Sequence, residues 1–261
     1  KINGRDYSVP AESTVLEACR YAGIDIPTLC YLKDVNAIGA CRMCLVEIKG
    51  AKALQAACVY PVAEGNEILT ASPAVKEARK VNLELLLSNH KRECLTCVRS
   101  KNCELQTLAE ELNITDLRFE GEKCDLPLDL TSHSLVRDPQ KCIACRRCVA
   151  ACRNVQKIGV IDAVNRGFNT SIGPAFGLGI GEVACVNCGQ CAKVCPYGAI
   201  LEFKRPCERA CKIGAISRAT DTSSAAAHID NDKCISCGAC VYTCPFGAIS
   251  DKSYIVDIIE T

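Results

Sequence analysis

Cysteine thiols are the side chains in this sequence whose number and spacing predict chemistry. The 261 residues include 23 Cys, and two runs between residues 142 and 195 share the spacing C-x2-C-x2-C-x3-C. Thiolates are soft metal ligands, and three of them on one tight loop can bind three corners of an inorganic cluster. Zinc sites favour paired C-x2-C knuckles instead of a tripled run with a trailing Cys. The spacing therefore predicts iron–sulfur clusters.

These two runs resemble the ligand runs of bacterial two-cluster [4Fe–4S] ferredoxins. In that family the fourth Cys of each run, here Cys195 followed by Pro196, serves the other cluster. The resemblance implies two crossed ligand sets. One, called site C, consists of Cys142, Cys145, Cys148 and Cys195; the other, site D, consists of Cys185, Cys188, Cys191 and Cys152.

A different pattern occurs near the start of the chain, where site A consists of Cys30, Cys41, Cys44 and Cys58. It keeps the central C-x2-C of plant-type [2Fe–2S] ferredoxins but has a longer first gap. Residues 26–31 and 38–44 resemble the [2Fe–2S] domain of the large iron–sulfur subunit of complex I and of iron-only hydrogenases. The resemblance implies a β-grasp domain, in which Gly39 allows the backbone to approach the cluster closely.

Local signals agree with such a domain. Asn3-Gly4 predicts a hairpin between residues 1–2 and 7–9. Ser13 or Thr14 is a good N-cap for a helix that runs to about Ala22 and ends at Gly23. Cys19 lies within that helix and outside the ligand pattern, so we expect it to be a small core residue.

The next segment predicts a longer helix and a ligand set with one imidazole. Ser72-Pro73 predicts the start of a helix that runs to about Ser88. The run H-x3-C-x2-C-x5-C follows, and it resembles the His-ligated [4Fe–4S] module of the same two families. This set, site B, consists of His90, Cys94, Cys97 and Cys103. Imidazole in place of thiolate should raise the reduction potential. We expect His133, His228 and Cys124 to be ordinary surface or loop residues.

The last segment repeats ferredoxin half-motifs imperfectly. Gly-Ala-Ile recurs at residues 198–200, 214–216 and 247–249. The crossed-ligand rule predicts site E, which consists of Cys211, Cys234, Cys237 and Cys240. Its companion keeps only Cys207 and Cys244, which are too few thiolates, so we predict an empty position. This segment resembles the region before the catalytic domain of ferredoxin-rich [FeFe] hydrogenases.

Residues 1–200 as a whole resemble the N-terminal accessory region of multi-cluster [FeFe]-hydrogenase large subunits of NAD(P)-linked and electron-bifurcating complexes. NAD-linked formate dehydrogenases share the order of the modules. The resemblance is carried by residues 34–41, 95–99, 146–148, 163–168 and 185–191.

We therefore predict an α+β chain of four modules in series. They are a β-grasp [2Fe–2S] ferredoxin domain (1–75), a His-Cys [4Fe–4S] module (76–136), a two-cluster bacterial-type ferredoxin module (137–203) and a degenerate ferredoxin-like module (204–261). They would hold one [2Fe–2S] cluster and four [4Fe–4S] clusters. With no Trp and 5% aromatic residues, the modules have few large core anchors, and metal binding should supply much of the folding free energy.

Composition and motif content indicate the cellular compartment and argue against some functions. Cysteines in metal-ligand spacing favour a reducing interior over disulfides, and no signal-like apolar segment opens the chain, so we expect a cytoplasmic protein, in an anaerobic setting. No apolar run approaches 18 residues, and a net charge of +1 gives no reason to expect membrane insertion or nucleic-acid binding. No G-x-G-x-x-G fingerprint, catalytic constellation or Thr-Ser-Cys-Cys-Pro-type hydrogenase signature is present, so this chain itself should contain no catalytic centre.

The implied function is electron transfer between a flavoprotein NAD(P)H-oxidising subunit resembling that of complex I and a second partner, either ferredoxin or a catalytic subunit. The alternative is the accessory region of an [FeFe] hydrogenase whose hydrogen-activating domain is absent from this chain. A scaffold or metal store is a third class. The basic stretch 137–157 has two interpretations, a solvated face or charge that offsets a cluster and docks an acidic partner.

Overall fold

Short helices and strands separated by ligand loops make up the computed structural model, which describes residues 1–132, 134–202, 206–218, 227–243 and 249. The helices are α1 (Val15–Tyr21), α2 (Pro73–Asn89), α3 (Glu104–Glu111), α4 (Arg147–Ala150), α5 (Gln190–Lys193), α6 (Pro206–Ala210) and α7 (Ala239–Thr243). The strands are β1 (Leu45–Ile48), β2 (Gln55–Ala56), β3 (Ile68–Leu69), β4 (Leu135–Arg137), β5 (Asp162–Val164), β6 (Ser171–Gly173), β7 (Ile200–Glu202), β8 (Ile216–Arg218) and β9 (Ala227–Ile229). This mixture agrees with the predicted α+β class.

A three-stranded antiparallel sheet organises the first module, with β1 between β2 and β3. Helix α1 and the sheet enclose an apolar core that contains Val15, Leu16, Val46 and Ile68. Two ligands of site A, Cys44 and Cys58, belong to the same core. The packing of the domain core therefore positions these two predicted ligands of site A.

The predicted hairpin at the start of the chain is only partly right. Asn3 and Gly4 have φ angles of 50° and 81°, as a tight two-residue turn requires. The flanking strands are absent, because residues 7–9 are not a strand and Ile2 bridges Arg5 only once. The backbone around Ile2 is bonded to Ile68 instead, through N–H···O contacts of 2.8 Å on both sides.

Helix α1 begins and ends where the sequence predicts. Thr14 is its N-cap and forms a reciprocal capping box with Glu17. Gly23 follows the helix with a φ of 73°. The buried face contains Val15, Leu16, Ala18 and Cys19, so Cys19 is the core residue that we expected.

Helix α2 is the longest element, and Ser72 caps it by accepting a hydrogen bond from the N–H of Val75 at 3.4 Å. Apolar residues recur along one face of this helix, and two of them, Val75 and Leu83, are fully buried. The pattern did not indicate that Arg79 and Glu84 on this helix are also buried. The carboxylate of Glu84 accepts a hydrogen bond from Arg118, which ties the chain after α3 back to α2.

Two antiparallel strand pairs hold the region that carries sites C and D. β4 pairs with β7, and β5 pairs with β6. The fourth residue of the first Cys run, Cys152, lies in a π-helical turn (Ala151–Val155) that directly follows α4. A buried ion pair between Arg137 and Asp129 fastens the preceding segment to β4.

The last described segment repeats part of this arrangement. β8 pairs with β9, and α6 packs against α7. The N–H of Asp230 donates to the carbonyl of Ala215, as the N–H of Asp138 does to that of Ala199. The internal repeat seen in the sequence is therefore also a repeat of backbone contacts.

A shared apolar core joins the first three modules. It contains Leu29 and Met43 beside site A, Leu83 of α2, Leu105 of α3, and Tyr197 after the second Cys run. Cys30, Cys41 and Cys145 belong to the same core. The ligand loops of sites A and C therefore pack against one apolar interior.

No helix in the part of the chain that the structure describes is both long enough and apolar enough to span a membrane.

Candidate metal centres

The four thiols of site A lie together and are buried, with at most 6% of each residue exposed. The thiols of Cys41 and Cys58 hydrogen-bond to Cys30 and lower its pKa to about 2. The same contacts raise the pKa of Cys41 and of Cys58. Hydrogen bonding to Cys58 lowers the pKa of Cys44 to about 7. The set is therefore connected sulfur to sulfur, which fits a small cluster with four thiolate ligands.

Backbone groups close around site A. The N–H of Leu29 donates to Sγ of Cys41 at 3.4 Å. Gly39 has a φ of 62°, and a Cβ there would lie 3.3 Å from Val59. Glycine is therefore favoured at this position by its backbone conformation and by the nearby side chain of Val59.

Site C surrounds a small cavity. All four of its thiols line that cavity, together with apolar residues such as Ile143, Ile172 and Ile200. Burial raises the pKa of Cys142 to about 12 and of Cys145 to about 11. Thiolates are costly in such surroundings unless a positive centre accompanies them, and iron supplies that charge.

Site D surrounds a second small cavity. Its lining includes all four thiols of the set, among them Cys152 from the other run, and the apolar side chains of Leu135, Val160 and Ile180. Burial, together with the smaller effect of the charges of Cys188, Cys185 and Cys152, raises the pKa of Cys191 to about 12. Each cavity thus brings three thiols of one run together with the fourth thiol of the other.

The thiols surround these cavities and do not converge on a point. Within the described residues, no group of three or more His, Cys, Asp or Glu side chains is placed to bind a single metal ion. The four ligands of a [4Fe–4S] cluster each bind a different iron atom, so a cavity ringed by thiols suits such a cluster.

Three ligand loops share one backbone pattern. In each, the residue before the second Cys and the residue after it have positive φ angles, between 52° and 76°. The pairs are Ala144 and Arg146, Asn187 and Gly189, and Ser236 and Gly238. In the first two loops the N–H before the second Cys also donates to the first Cys sulfur at 3.4 Å. Residues with a left-handed backbone conformation on both sides of the second Cys bend the loop tightly, so that consecutive thiols can line the same cavity.

Site B is more exposed than sites A, C and D. Its imidazole is buried, with 8% of His90 exposed, whereas Cys94 is exposed and Cys97 and Cys103 are half-buried. Burial lowers the pKa of His90, which favours a neutral ring with a lone pair. Its Nδ1 is buried without a hydrogen-bond partner. A bound metal would satisfy this nitrogen, so the donor set fits a cluster with one imidazole ligand.

The four thiols of site E line one open cavity, with Ile213, Ile216 and Ile235 beside them. The N–H of Ala215 donates to Sγ of Cys211 at 3.2 Å. Of the two cysteines predicted to leave an empty companion site, Cys207 is buried and Cys244 lies outside the described residues.

The comparisons with known proteins follow the same order of modules. Residues 1–73 match the model of the 2Fe-2S iron-sulfur cluster binding domain, and residues 79–118 match the NADH-ubiquinone oxidoreductase-G iron-sulfur binding region. Residues 141–199 match the 4Fe-4S dicluster domain, and residues 227–250 match the 4Fe-4S binding domain. The matches within residues 1–199 are therefore all to iron–sulfur domains, and that of residues 79–118 is to the type found in NADH-ubiquinone oxidoreductase. The chain thus carries one 2Fe-2S domain and several 4Fe-4S domains.

Two curated relatives share this iron–sulfur region. The NADP-reducing hydrogenase subunit HndD of Solidesulfovibrio fructosivorans is 44% identical over 208 residues, which are 78% of this chain and 36% of that protein. The NADH-quinone oxidoreductase subunit 3 of Thermus thermophilus is 33% identical over 239 residues, 78% of this chain and 30% of that protein. The chain therefore spans well under half the length of each. Both are subunits of NAD(P)-linked oxidoreductases by name, in agreement with the predicted resemblance.

A solved structure gives the same result for the fold. A chain in the crystal structure of a NAD+-reducing [NiFe]-hydrogenase in the H2-reduced state superposes with a TM-score of 0.72 at 28% identity. The match covers 80% of this chain and 90% of that one. The iron–sulfur region is thus also found in a hydrogenase of the [NiFe] type, whereas the sequence resemblance pointed to the [FeFe] type.

The basic stretch of this region is largely neutralised within the fold. Arg137 pairs with Asp129, Lys141 with Asp138, and Arg153 with Asp162. Arg147 forms two hydrogen bonds with the carboxylate of Glu104, at 3.1 and 3.3 Å. The side chains of Arg137, Lys141 and Arg147 are largely enclosed in these pairs, whereas that of Arg153 is exposed.

The remaining cysteines and histidines fall into separate environments. Burial raises the pKa of Cys19 to about 11, as expected for a core thiol. Cys124 is half-buried and lines an open surface cavity with Arg166 and Phe168. His228 is exposed on β9, as expected, and His133 lies outside the described residues.

Two polar side chains at the junction of sites A and C were missed by the sequence analysis. The Nδ2 group of Asn36 donates to the carbonyls of Cys30 at 2.8 Å and of Cys145 at 3.1 Å. The hydroxyl of Tyr197 donates to the carbonyl of Leu29 at 2.6 Å. Tyr197 stands two residues after a predicted ligand, which is a weak signal, but no spacing indicated that these two ligand loops meet.

Proposed function

We propose that this chain is a multi-cluster electron-transfer component that passes single electrons between a NAD(P)H-oxidising flavoprotein subunit and a second redox partner. The second partner is ferredoxin or a catalytic subunit of a hydrogenase-like or electron-bifurcating complex. The names of the two relatives support the NAD(P)-linked donor, since one is an NADP-reducing hydrogenase subunit and the other a NADH-quinone oxidoreductase subunit.

The proposal assigns a [2Fe–2S] cluster to site A and a [4Fe–4S] cluster to each of sites B, C, D and E. Bound iron–sulfur clusters supply one-electron redox centres, whose potentials depend on ligands, charge and burial. The residues of the chain hold the ligand sulfurs in place and line sites C and D with apolar side chains that exclude water. The four thiols of site A are also buried.

The observation that carries this proposal is the contact between ligand loops of different sites. Asn36 donates to the carbonyls of one predicted ligand of site A and one of site C. Arg99, two residues after Cys97 of site B, donates to the carbonyl of Cys195 of site C at 3.0 Å. Electron transfer requires close redox centres, and these contacts keep neighbouring sites close and fixed.

Site E is the proposed exit to the second partner, and Cys237→Ala tests this route. The complex is purified anaerobically with its native partners, and NADH or NADPH is added as donor. We expect the electron paramagnetic resonance (EPR) signals of the first clusters to appear as in wild type. Reduction of an added bacterial two-cluster ferredoxin should fall at least tenfold, because Cys237 is a predicted ligand on an exposed loop.

Cys124→Ala is the matched control, because Cys124 is a half-buried cysteine outside every predicted ligand set. It should leave both the signals and the ferredoxin reduction unchanged. Undiminished ferredoxin reduction by the Cys237 variant would contradict the route through site E.

The second candidate function is the accessory electron relay of a hydrogenase. The relative named as a hydrogenase subunit favours it, because this chain matches 36% of that protein's length. The denatured mass of the native polypeptide, isolated anaerobically, distinguishes the two. A mass near 28.0 kDa supports a separate relay subunit, whereas a mass more than about twice as large, together with hydrogen uptake, supports the hydrogenase.

A further inference from the structure

Arg79 is a buried cation on helix α2. Only 8% of its surface is exposed, and it donates from one terminal nitrogen to the carbonyl of Leu45 at 2.7 Å. Its Nε is also buried and has no hydrogen-bond partner. A guanidinium keeps its charge in proteins, so a full positive charge lies in the interior here.

The surroundings of Arg79 differ from those of two other arginines whose side chains are largely enclosed. Arg137 pairs with Asp129, and Arg147 pairs with Glu104. Among the residues that the structure describes, Arg79 has no Asp or Glu partner. A buried charge without a counter-charge costs several kcal/mol, roughly as much as breaking a buried ion pair. The protein must therefore supply negative charge near Arg79 by other means.

Site A is the source of that charge. Leu45, whose carbonyl accepts from Arg79, directly follows the predicted ligand Cys44. Burial lowers the pKa of Arg79, and the negative charge of Cys44 opposes this effect. Thiolates bound to iron are permanently deprotonated, so a cluster in site A places fixed negative charge beside the guanidinium.

We propose that Arg79 is the internal counter-charge of site A and sets the reduction potential of the [2Fe–2S] cluster there. This inference rests on the proposed function, because it requires a cluster in site A. Reduction adds one negative charge, and a nearby cation in a poorly polarisable interior stabilises the reduced state. Arg79 therefore raises the potential of site A, which makes it a positioning and tuning residue and not a ligand.

The test is an EPR-monitored redox titration of the [2Fe–2S] signal in Arg79→Gln, on protein purified anaerobically and matched for cluster content. We expect the midpoint potential to fall. The ratio of reduced to oxidised cluster at a fixed potential should drop at least tenfold, which is about 59 mV for one electron. Lys76→Gln is the matched control, because it removes a positive charge from an exposed position on the same helix. It should leave the potential unchanged.

Arg79→Met is the second variant, since it fills the space without burying a polar group. Arg79→Lys should restore most of the potential, because it restores the charge but not the geometry of the guanidinium. Selective loss of the [2Fe–2S] signal with the [4Fe–4S] signals intact would also support the counter-charge role, because site A alone would depend on it.

Two results would overturn the inference. One is an unchanged potential in a Gln or Met variant that holds a full cluster. The other is loss of every cluster signal in both variants, which would assign Arg79 to folding in general. If the wild-type protein itself shows no [2Fe–2S] signal, the proposed function fails, so the two failures are distinguishable.

Discussion

His90 is the one nitrogen donor in the predicted ligand sets, and its environment explains how it could serve. Burial lowers the pKa of the imidazole, which favours its neutral form, and its Nδ1 has no hydrogen-bond partner. A solvated histidine would bond to water, so a buried and unsatisfied ring nitrogen is costly unless a metal binds it. A neutral imidazole also carries less negative charge than a thiolate, which favours addition of an electron.

His90→Cys should therefore retain the cluster of site B and lower its reduction potential, by on the order of 100 mV. The extra negative charge of a thiolate disfavours reduction. The measurement is an EPR redox titration of the [4Fe–4S] signals. His228→Ala, at an exposed position on β9, serves as the control and should change nothing. An unchanged set of potentials in a fully loaded His90→Cys protein would remove His90 from the ligand set.

The candidate sites depend on their ligand loops, and three of these loops share a backbone conformation. The left-handed residues that flank each second Cys recur in three loops, although glycine occupies only two of these positions, Gly189 and Gly238. The loops are then joined to one another by side chains from elsewhere in the chain. Asn36 is the clearest case, because a single buried amide serves carbonyls from two loops.

Asn36→Ala should lower the stability of the folded protein by about 1–3 kcal/mol, because it leaves two buried carbonyls without this donor. Anaerobic thermal unfolding followed by visible circular dichroism would measure the loss. The EPR spin–spin interaction between the clusters of sites A and C should weaken in the same variant, since the two loops are no longer tied together.

Asn154→Ala is the matched control for this element. Asn154 is exposed and donates across the same interface to the carbonyl of Val35 at 3.3 Å. Exposed contacts of this kind typically change stability by less than about 0.5 kcal/mol. Equal losses in the two variants would mean that Asn36 has no special role at the junction.

The whole molecule is a series of small modules whose interiors consist largely of ligand loops. Thiols belong to each of the three apolar cores that the structure describes. The core shared by the first three modules includes thiols from sites A, B and C. Cluster loading and folding should therefore be coupled in this protein.

The predicted ligand sets imply about 18 iron atoms per chain, with sulfide in proportion. Iron and acid-labile sulfide assays on anaerobically purified protein would measure this. A count near 22 would mean that the companion position of site E also holds a [4Fe–4S] cluster. Cys207→Ser should leave the count unchanged, and a loss of about four iron atoms would show that this buried cysteine is a ligand.

Much of the ligand chemistry could be predicted from the sequence by itself. Cysteine spacing is a local property, since a short loop of fixed length limits where consecutive thiols can point. The caps at Thr14 and Ser72 and the turn at Asn3-Gly4 were likewise predictable, because each depends on a few neighbouring residues. The order of the modules followed from the same local signals.

Tertiary structure decided the features that depend on distant residues. It paired Ile2 with Ile68 where the sequence predicted a local hairpin, and it joined several cations of a basic stretch to carboxylates elsewhere in the chain. It also buried Arg79 beside site A and joined two ligand loops through Asn36. Cysteine spacing determines which atoms can bind a cluster. The packing of separate modules determines which charges and contacts surround it, because burial and long-range hydrogen bonds exist only in the folded chain.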